Sequence, residues 1–258
     1  MPGFNIPKSH PRYESLLYRE RIVEGIRRGY VVYEGLIAHG RGECFDYLIG
    51  EETTEEAYRA EEAAVALMLL ADRPVISVNG NVAALVPGEV VELAELTNAG
   101  IEVNLFYRTR EREMIIRDIL LSHGAREVLG VGEDADSTIP ELFSERRRVS
   151  SRGILVSDVV LIPLEDGDRA EALKRMGKKI ISIDLNPLSR TSLAADISIV
   201  DNVVRAIPNM VKIAREYREY DRRDLEEIIR GYNNSTNLSQ VLKIIIERLQ
   251  KSSLQLSF

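Results

Sequence analysis

The chain has 258 residues and a formal net charge of −7, with 45% hydrophobic and 29% charged residues. These values describe a globular chain long enough to bury a sizeable core, as one large domain or one domain with appendages. The acidic balance argues against nonspecific nucleic-acid binding, which needs a basic face. Cys44 is the only cysteine, which excludes an intrachain disulfide and a cysteine-rich metal site. Three histidines, at positions 10, 39 and 123, leave little material for a histidine metal centre. The opening MPGFNIPKSHPRYE lacks the apolar stretch of a signal peptide, and no run approaches the roughly 20 apolar residues of a membrane span. A cytoplasmic protein is expected.

Asn5 to Pro11 reads as irregular, with Pro11 placed to begin a helix. From Arg12 to Arg28 the apolar residues Leu16, Leu17, Ile22, Val23 and Ile26 recur at helical spacing, and Gly29 supplies the stop. The segment from Gly35 to Glu43, GLIAHGRGE, reads as a glycine-rich turn. Either the glycines on both sides of Arg41 let the backbone approach a ligand, or Arg41 is salt-bridged to a neighbouring carboxylate. A second helix is expected from Thr53 to Ala71, opened by a capping box of Thr53 with Glu56 and mostly buried.

A strand at Pro74–Val78 ends in Asn79-Gly80-Asn81 and precedes a helix from Pro87 to Asn98. A strand at Ile101–Leu105 runs into Tyr107, Arg108 and Thr109, then a charged helix from Glu111 to Ser122 and a third strand at Glu127–Val131. Residues 132–153 break the pattern as a long polar loop, of the kind that forms lids or stays disordered. Its basic run Arg146-Arg147-Arg148 is either a solvated face or a clamp. The strand Val159–Pro163 leads to Glu165-Asp166-Gly167-Asp168, read first as the cap of a helix from Arg169 to Met176 and second as an oxygen site for Mg²⁺.

Strands at Ile180–Ile183 and Ile197–Val200 end in Asp184-Leu185-Asn186 and Asp201-Asn202, with Pro187 to Thr191 between them. Beyond lie a helix from Val211 to Tyr220, with Pro208 either kinking or opening it, and amphipathic segments at Leu225–Arg230 and Leu238–Leu249. The tail SLQLSF is expected to be loose. Strand–helix alternation indicates right-handed crossovers and an α/β fold with a mainly parallel, Rossmann-like sheet. The expected organisation is one domain, with an N-terminal helical part (1–72), a core (73–220) and C-terminal helices (221–258).

In such folds, ligands collect beyond the carboxyl ends of the strands. The loops there carry Asn79, Asn81, Arg108, Asp184, Asn186, Arg190, Thr191 and Asn202. Asn79-Gly80-Asn81 either holds a substrate or is a simple Asn-Gly turn. No Gly-Lys-Ser/Thr follows a strand, and no Gly-x-Gly-x-x-Gly does either, so a P-loop and a standard dinucleotide site are absent. His39-Gly40 does not complete the His-x-Gly-His of one large adenylating class. No serine, cysteine or histidine stands out as a nucleophile or base, and arginines dominate the candidate loops.

The strings IPKSHPRYESL, GLIAHGRGE, FDYLIGE, PVISVNGNVAALVP, LFYRT, VLIPLEDGDRAEAL, IDLNPLSRT and IVDNVVRAIPNM occur in this order. They resemble the archaeal 4-phosphopantoate–β-alanine ligases, also called phosphopantothenate synthetases, from about Pro7 to Tyr220 and on towards Leu249. The resemblance implies a homodimer with a Rossmann-like core, in which 4-phosphopantoate, β-alanine and ATP give 4'-phosphopantothenate, AMP and diphosphate. It also implies an acyl-adenylate intermediate, with Mg²⁺ accompanying the ATP.

The family's ATP-binding positions fall on Arg19, Arg41, Asp184, Leu185, Asn186, Arg190, Thr191, Asn202 and Val203. Arg41 and Arg190 are the expected catalytic cations, because charge built at an α-phosphate is stabilised mainly by prepositioned donors. Asp184 to Asn186 and Asn202-Val203 would frame the nucleoside, with Arg190-Thr191 nearer the phosphates. Asn79, Asn81 and Arg108 are expected to hold phosphopantoate, and the sequence names no base for β-alanine. The rivals are a non-catalytic nucleotide-binding regulator and, against the missing glycine fingerprint, a nicotinamide-dependent oxidoreductase.

Overall fold

Short β-branched runs separated by amphipathic helices assemble into one parallel sheet. The computed structural model describes residues 7–255. Its sheet strands are β1 (Pro74–Val78), β2 (Gly100–Val103), β5 (Val159–Pro163), β6 (Lys179–Ile183) and β7 (Ile197–Ile199). They lie in the order β2-β1-β5-β6-β7, all parallel, with Ile76 paired to Ile101 and to Leu161, and Ile183 to Ile199. From β1 the chain goes outward to β2 and then returns past β1 to β5. The crossovers therefore leave β1 in opposite directions, which opens a crevice between the carboxyl ends of β1 and β5.

Alternate strand residues feed two cores, as the pleat requires. Ile76, Val78, Leu161, Ile181 and Ile183 face α3 (Glu55–Leu70), α5 (Pro87–Thr97) and α9 (Val203–Tyr217). Val75, Val160, Ile162 and Ile180 face α7 (Gly167–Arg175), through Ala170 and Leu173. A third cluster joins α2 (Tyr33–Ile49) to α11 (Asn234–Gln255) through Ile49, Leu185, Val241 and Ile245. The remaining helices are α1 (Tyr13–Arg27), α4 (Gly80–Leu85), α6 (Arg110–Ser122), α8 (Arg190–Ala194) and α10 (Arg222–Gly231). No helix among the described residues is long and apolar enough to cross a membrane.

Several local expectations give way to packing. GLIAHGRGE is not a turn but the middle of α2. Each interior glycine costs a helix about 1 kcal/mol relative to alanine, yet Leu36, Phe45, Leu48 and Ile49 anchor this one in the cores. A Cβ at Gly35 would lie 2.5 Å from Asn81 Oδ1, so glycine is what allows α2 to close on the sheet. The cap of α3 is Thr54, accepting from the Ala57 amide at 3.1 Å, whereas Thr53 donates its hydroxyl to Asp201 at 2.6 Å.

The expected strand Glu127–Val131 shrinks to a single bridge between Leu129 and Glu102, because Gly130 and Gly132 turn the chain through positive φ on either side of Val131. Residues 132–153 are packed onto the fold. Two short antiparallel strands, β3 (Ser137–Thr138) and β4 (Arg148–Val149), carry Ile139, Leu142 and Val149 into the α7-side core. Pro208 lies inside α9, which starts directly after its cap Asn202. α11 extends through Ser253, Leu254 and Gln255 of the expected loose tail, while residues 256–258, and Asn5 and Ile6, fall outside the described residues.

Candidate active site

A cavity of about 590 Å³ opens at the carboxyl ends of the sheet, within the size range of small-molecule sites. Loops after all five sheet strands reach it, and α2 forms the facing wall. Asn79 and Asn81 come from the end of β1, Phe106 and Tyr107 from β2, and Glu165 and Asp166 from β5. Asp184, Leu185, Asn186, Arg190 and Thr191 follow β6, Asn202 and Val203 follow β7, and His39, Arg41 and Glu43 come from α2.

At the β6–β7 end, Asp184 accepts from the Asn186 amide at 2.9 Å. Burial raises its pKa, against the opposing pull of Ser189, the Asn186 amide and the Arg41 charge. Asn202 caps α9 through the Val204 amide and donates its side-chain amide to Asp46 at 2.9 Å. Behind it, Arg205 ties Asp46 on α2 to Asp201, at 2.6 and 2.5 Å. Leu185 and Val203, both buried, are apolar wall between these polar groups. Neither nearby hydroxyl is free to act as a nucleophile: Ser189 caps α8 and Thr191 donates to the Glu165 carbonyl at 2.9 Å.

Four arginines line the cavity, in two different states. Arg41 forms no hydrogen bond or ion pair among the described residues, though its charge acts on Asp184. Arg190 is exposed and leans on Asp168 and Glu171 of α7, at 2.7 and 2.9 Å. Arg112, by contrast, is buried and spends its donors on two backbone carbonyls, Tyr30 O at 3.2 and 3.0 Å and Tyr107 O. Arg146 is buried against Glu165 at 3.1 Å and Asp166 at 2.9 Å. Glu165 is itself held by Arg169 at 2.7 Å and by the Ser77 hydroxyl at 2.5 Å.

Two expected residues lie elsewhere. Arg108 does not line the cavity; its guanidinium is enclosed by Glu113 at 2.7 Å and by the Gly130 and Arg148 carbonyls, both at 3.1 Å. Arg19 also stays off the wall but holds Glu43, which is on it, at 2.9 Å. Asn79 and Asn81 do line the cavity while serving the backbone. The Asn79 oxygen caps α4 and its amide donates to Pro163 O at 2.9 Å, and Asn81 donates to Gly35 O at 2.9 Å. The glycines flanking Arg41 are therefore helical, with Gly42 facing Leu185 across the cavity wall.

Sequence reasoning did not single out Arg112, took His39 only as part of the segment around Arg41, and weighed Arg146 only within the run 146–148 as a solvated face or a clamp. Arg112 had a readable signal, the first turn of a helix after a strand end, but choosing it over Arg108 requires knowing which face packs inward. For Arg146 the run itself was visible, but only the packing of the insert separates it from Arg147, which is exposed.

The acidic residues do not make a protein cage for a metal. Asp166 caps α7 and Glu165 is ion-paired, and no group of three or more His, Cys, Asp or Glu among the described residues is placed to hold a cation.

Residues 56–248 match the family model described as phosphopantothenate/pantothenate synthetase. The chain is 57% identical over 96% of its length to a 4-phosphopantoate–β-alanine ligase of Thermococcus kodakarensis, covering 94% of that protein. Proteins of the same name from Methanosarcina mazei and Methanospirillum hungatei are 56% and 49% identical, over 95% of this chain and 96% and 98% of theirs. The chain belongs to the phosphopantothenate/pantothenate synthetase family.

Proposed function

We propose that the cavity is the active site of an ATP-dependent ligase. It condenses (R)-4-phosphopantoate with β-alanine to give 4'-phosphopantothenate, AMP and diphosphate through an acyl-adenylate. The observation that carries this reading is a cavity with four arginines on its wall, whose Ser189 and Thr191 hydroxyls are both engaged in hydrogen bonds. Such a site suits transfer at phosphorus, where positioning and charge stabilisation do the work. The shared name of the relatives supports the substrates. Nothing in the site favours the non-catalytic regulator.

In this reading Asp184, Leu185, Asn186, Asn202 and Val203 receive the nucleoside, and Arg41, Arg190 and Thr191 face the triphosphate. The carboxylate of phosphopantoate attacks the α-phosphorus, diphosphate leaves, and Arg41 and Arg190 offset the charge that builds on the phosphoryl oxygens. Asn79 and Asn81 bound the phosphopantoate end, where Arg112 and Arg146 line the cavity in place of Arg108 and meet the phosphate. Arg19 acts by holding Glu43 in place. A Mg²⁺ ion accompanying the ATP would supply charge screening at the phosphates, with oxygen ligands mainly from the nucleotide. The chain works as one cytoplasmic α/β domain in a homodimer, for which exposed Ile246, Leu249 and Leu254 of α11 offer an apolar face.

The test is AMP release by the purified protein. It should require phosphopantoate and β-alanine together and yield 4'-phosphopantothenate by mass spectrometry. ADP as the nucleotide product, or AMP release indifferent to β-alanine, would overturn the reading.

A further inference from the structure

A second cavity, of about 150 Å³, adjoins the main one, and His39, Glu43 and Asn202 line both. At roughly 30 Å³ per water it has room for a small amino acid. His39, Glu43 and Asp46 fall on one face of α2, and across from them Arg205 of α9 lines the annex. The His39 Nε2 is shut off from solvent and hydrogen-bonds nothing. Buried imidazole nitrogens ordinarily have partners, and this one has none among the described residues.

The surroundings set the state of both groups. Burial lowers the His39 pKa, Glu43 and Asp46 oppose that shift, Arg19 adds to it, and the net effect is a neutral ring at pH 7. Burial raises the Glu43 pKa, but hydrogen bonds from Ser15 and Arg19 and the Arg19 charge outweigh it, so its pKa lies below the ordinary carboxylate value and Glu43 stays ionised. Arg205 shares its charge with Asp46 and Asp201, and Glu14, Tyr18 and Glu51 complete the annex wall. A neutral imidazole with an open nitrogen beside a carboxylate is the pairing that draws in an ammonium group and deprotonates it.

Resting on the ligase reading above, we propose that the annex is the β-alanine subsite and that His39 Nε2 accepts the proton from its ammonium group. The ammonium lies at the shared wall between His39 and Glu43, with the carboxylate toward Arg205. One nitrogen proton passes to Nε2, and the freed lone pair attacks the acyl carbon of the adenylate. The C–N bond forms, the bond from the acyl carbon to the phosphate oxygen breaks, and AMP leaves with that electron pair. The second nitrogen proton departs with the AMP phosphate, whose second pKa of about 6 lets it take one.

The experiment is His39→Gln in the full-length enzyme, with each half-reaction read separately. Phosphopantoate-dependent exchange of labelled diphosphate into ATP needs no β-alanine and should stay within about threefold of wild type. kcat/KM for β-alanine at pH 7 should fall by about 10²–10⁴, and the deficit should shrink as pH rises and more amine is already free. Hydroxylamine, uncharged at neutral pH, should be acylated at similar rates by both proteins.

An unchanged kcat/KM for β-alanine would overturn the proposal. So would a pH-independent loss shared by β-alanine and hydroxylamine. Glu43→Gln supplies a second arm: KM for β-alanine should rise severalfold, and an unchanged KM for β-alanine would dismiss the subsite. Absence of exchange in the wild-type enzyme would instead count against the ligase reading itself.

Discussion

The two pairs of cavity arginines are held in opposite ways. Arg112 and Arg146 are buried, fixed by carbonyls and carboxylates that belong to the core. Arg41 projects from α2 with no ion pair among the described residues, and Arg190 is exposed beside two surface carboxylates. The first pair is set before any ligand arrives, so the anion it meets does not have to order it. The second pair carries little of the fold and can follow a polyphosphate through a reaction. Binding and stability are therefore coupled at one end of the cavity and separable at the other.

The largest expected effect breaks the fixed end. Arg169 is fully buried against Glu165, which in turn positions Arg146. Arg169→Ala leaves a buried carboxylate short of a partner and should cost about 3–5 kcal/mol in denaturant melts. Loss of activity with an unmoved melt would remove the coupling claimed for that end.

At the loose end, Arg41→Ala should lower kcat by about 10²–10³ while Tm stays at the wild-type value. A protein that kept full turnover would sink the role of Arg41. Smaller again is Arg112→Ala, where losing a charge-assisted contact should raise KM for phosphopantoate about ten- to a hundredfold, corresponding to ~1.5–3 kcal/mol. KM for ATP should barely change, which steady-state kinetics with each substrate varied will check.

The smallest effect sharpens the comparison behind the nucleoside end. Glu61 is fully buried on α3, and burial together with the nearby Asp201 charge pushes its pKa up to about 9. The folded protein therefore keeps a proton that the unfolded chain releases above its ordinary carboxylate pKa. This group's penalty on stability is absent in acid, begins as pH rises through about 4.5 and grows until pH approaches the folded value. Glu61→Gln should raise stability by about 1–2 kcal/mol at pH 7.5 and give no gain at pH 4. Thermal melts at the two pH values read the difference, and an equal gain at both would refute the shift.

Much of the sheet was legible because its strands announce themselves locally. Pro74–Val78 and Val159–Pro163 have the expected bounds, and the polar residues after β6 and β7 do line the cavity. Local pattern failed where distant contacts outweighed it. The glycines of GLIAHGRGE suggested a turn, but apolar anchors and the close approach of Gly35 to Asn81 make the segment helical. The polar insert 132–153 hides three core residues in a run without periodicity, and Leu129 bonds to the sheet from a segment that glycines interrupt on both sides.

By itself, then, the amino-acid order determined the α/β class, most strand and helix positions, and the set of polar groups that strand ends would present. Those features depend on propensity and period within a few residues. Which arginine reaches the cavity, which is locked against a carboxylate, and that His39 is left with an open nitrogen were decided by tertiary structure alone. Side-chain direction on a helix and the partners that bury it are set by elements far away in the chain. Arg108, just ahead of α6, and Arg112, in its first turn, are close in sequence, and only their packing against Gly130 and Tyr30 separates their roles.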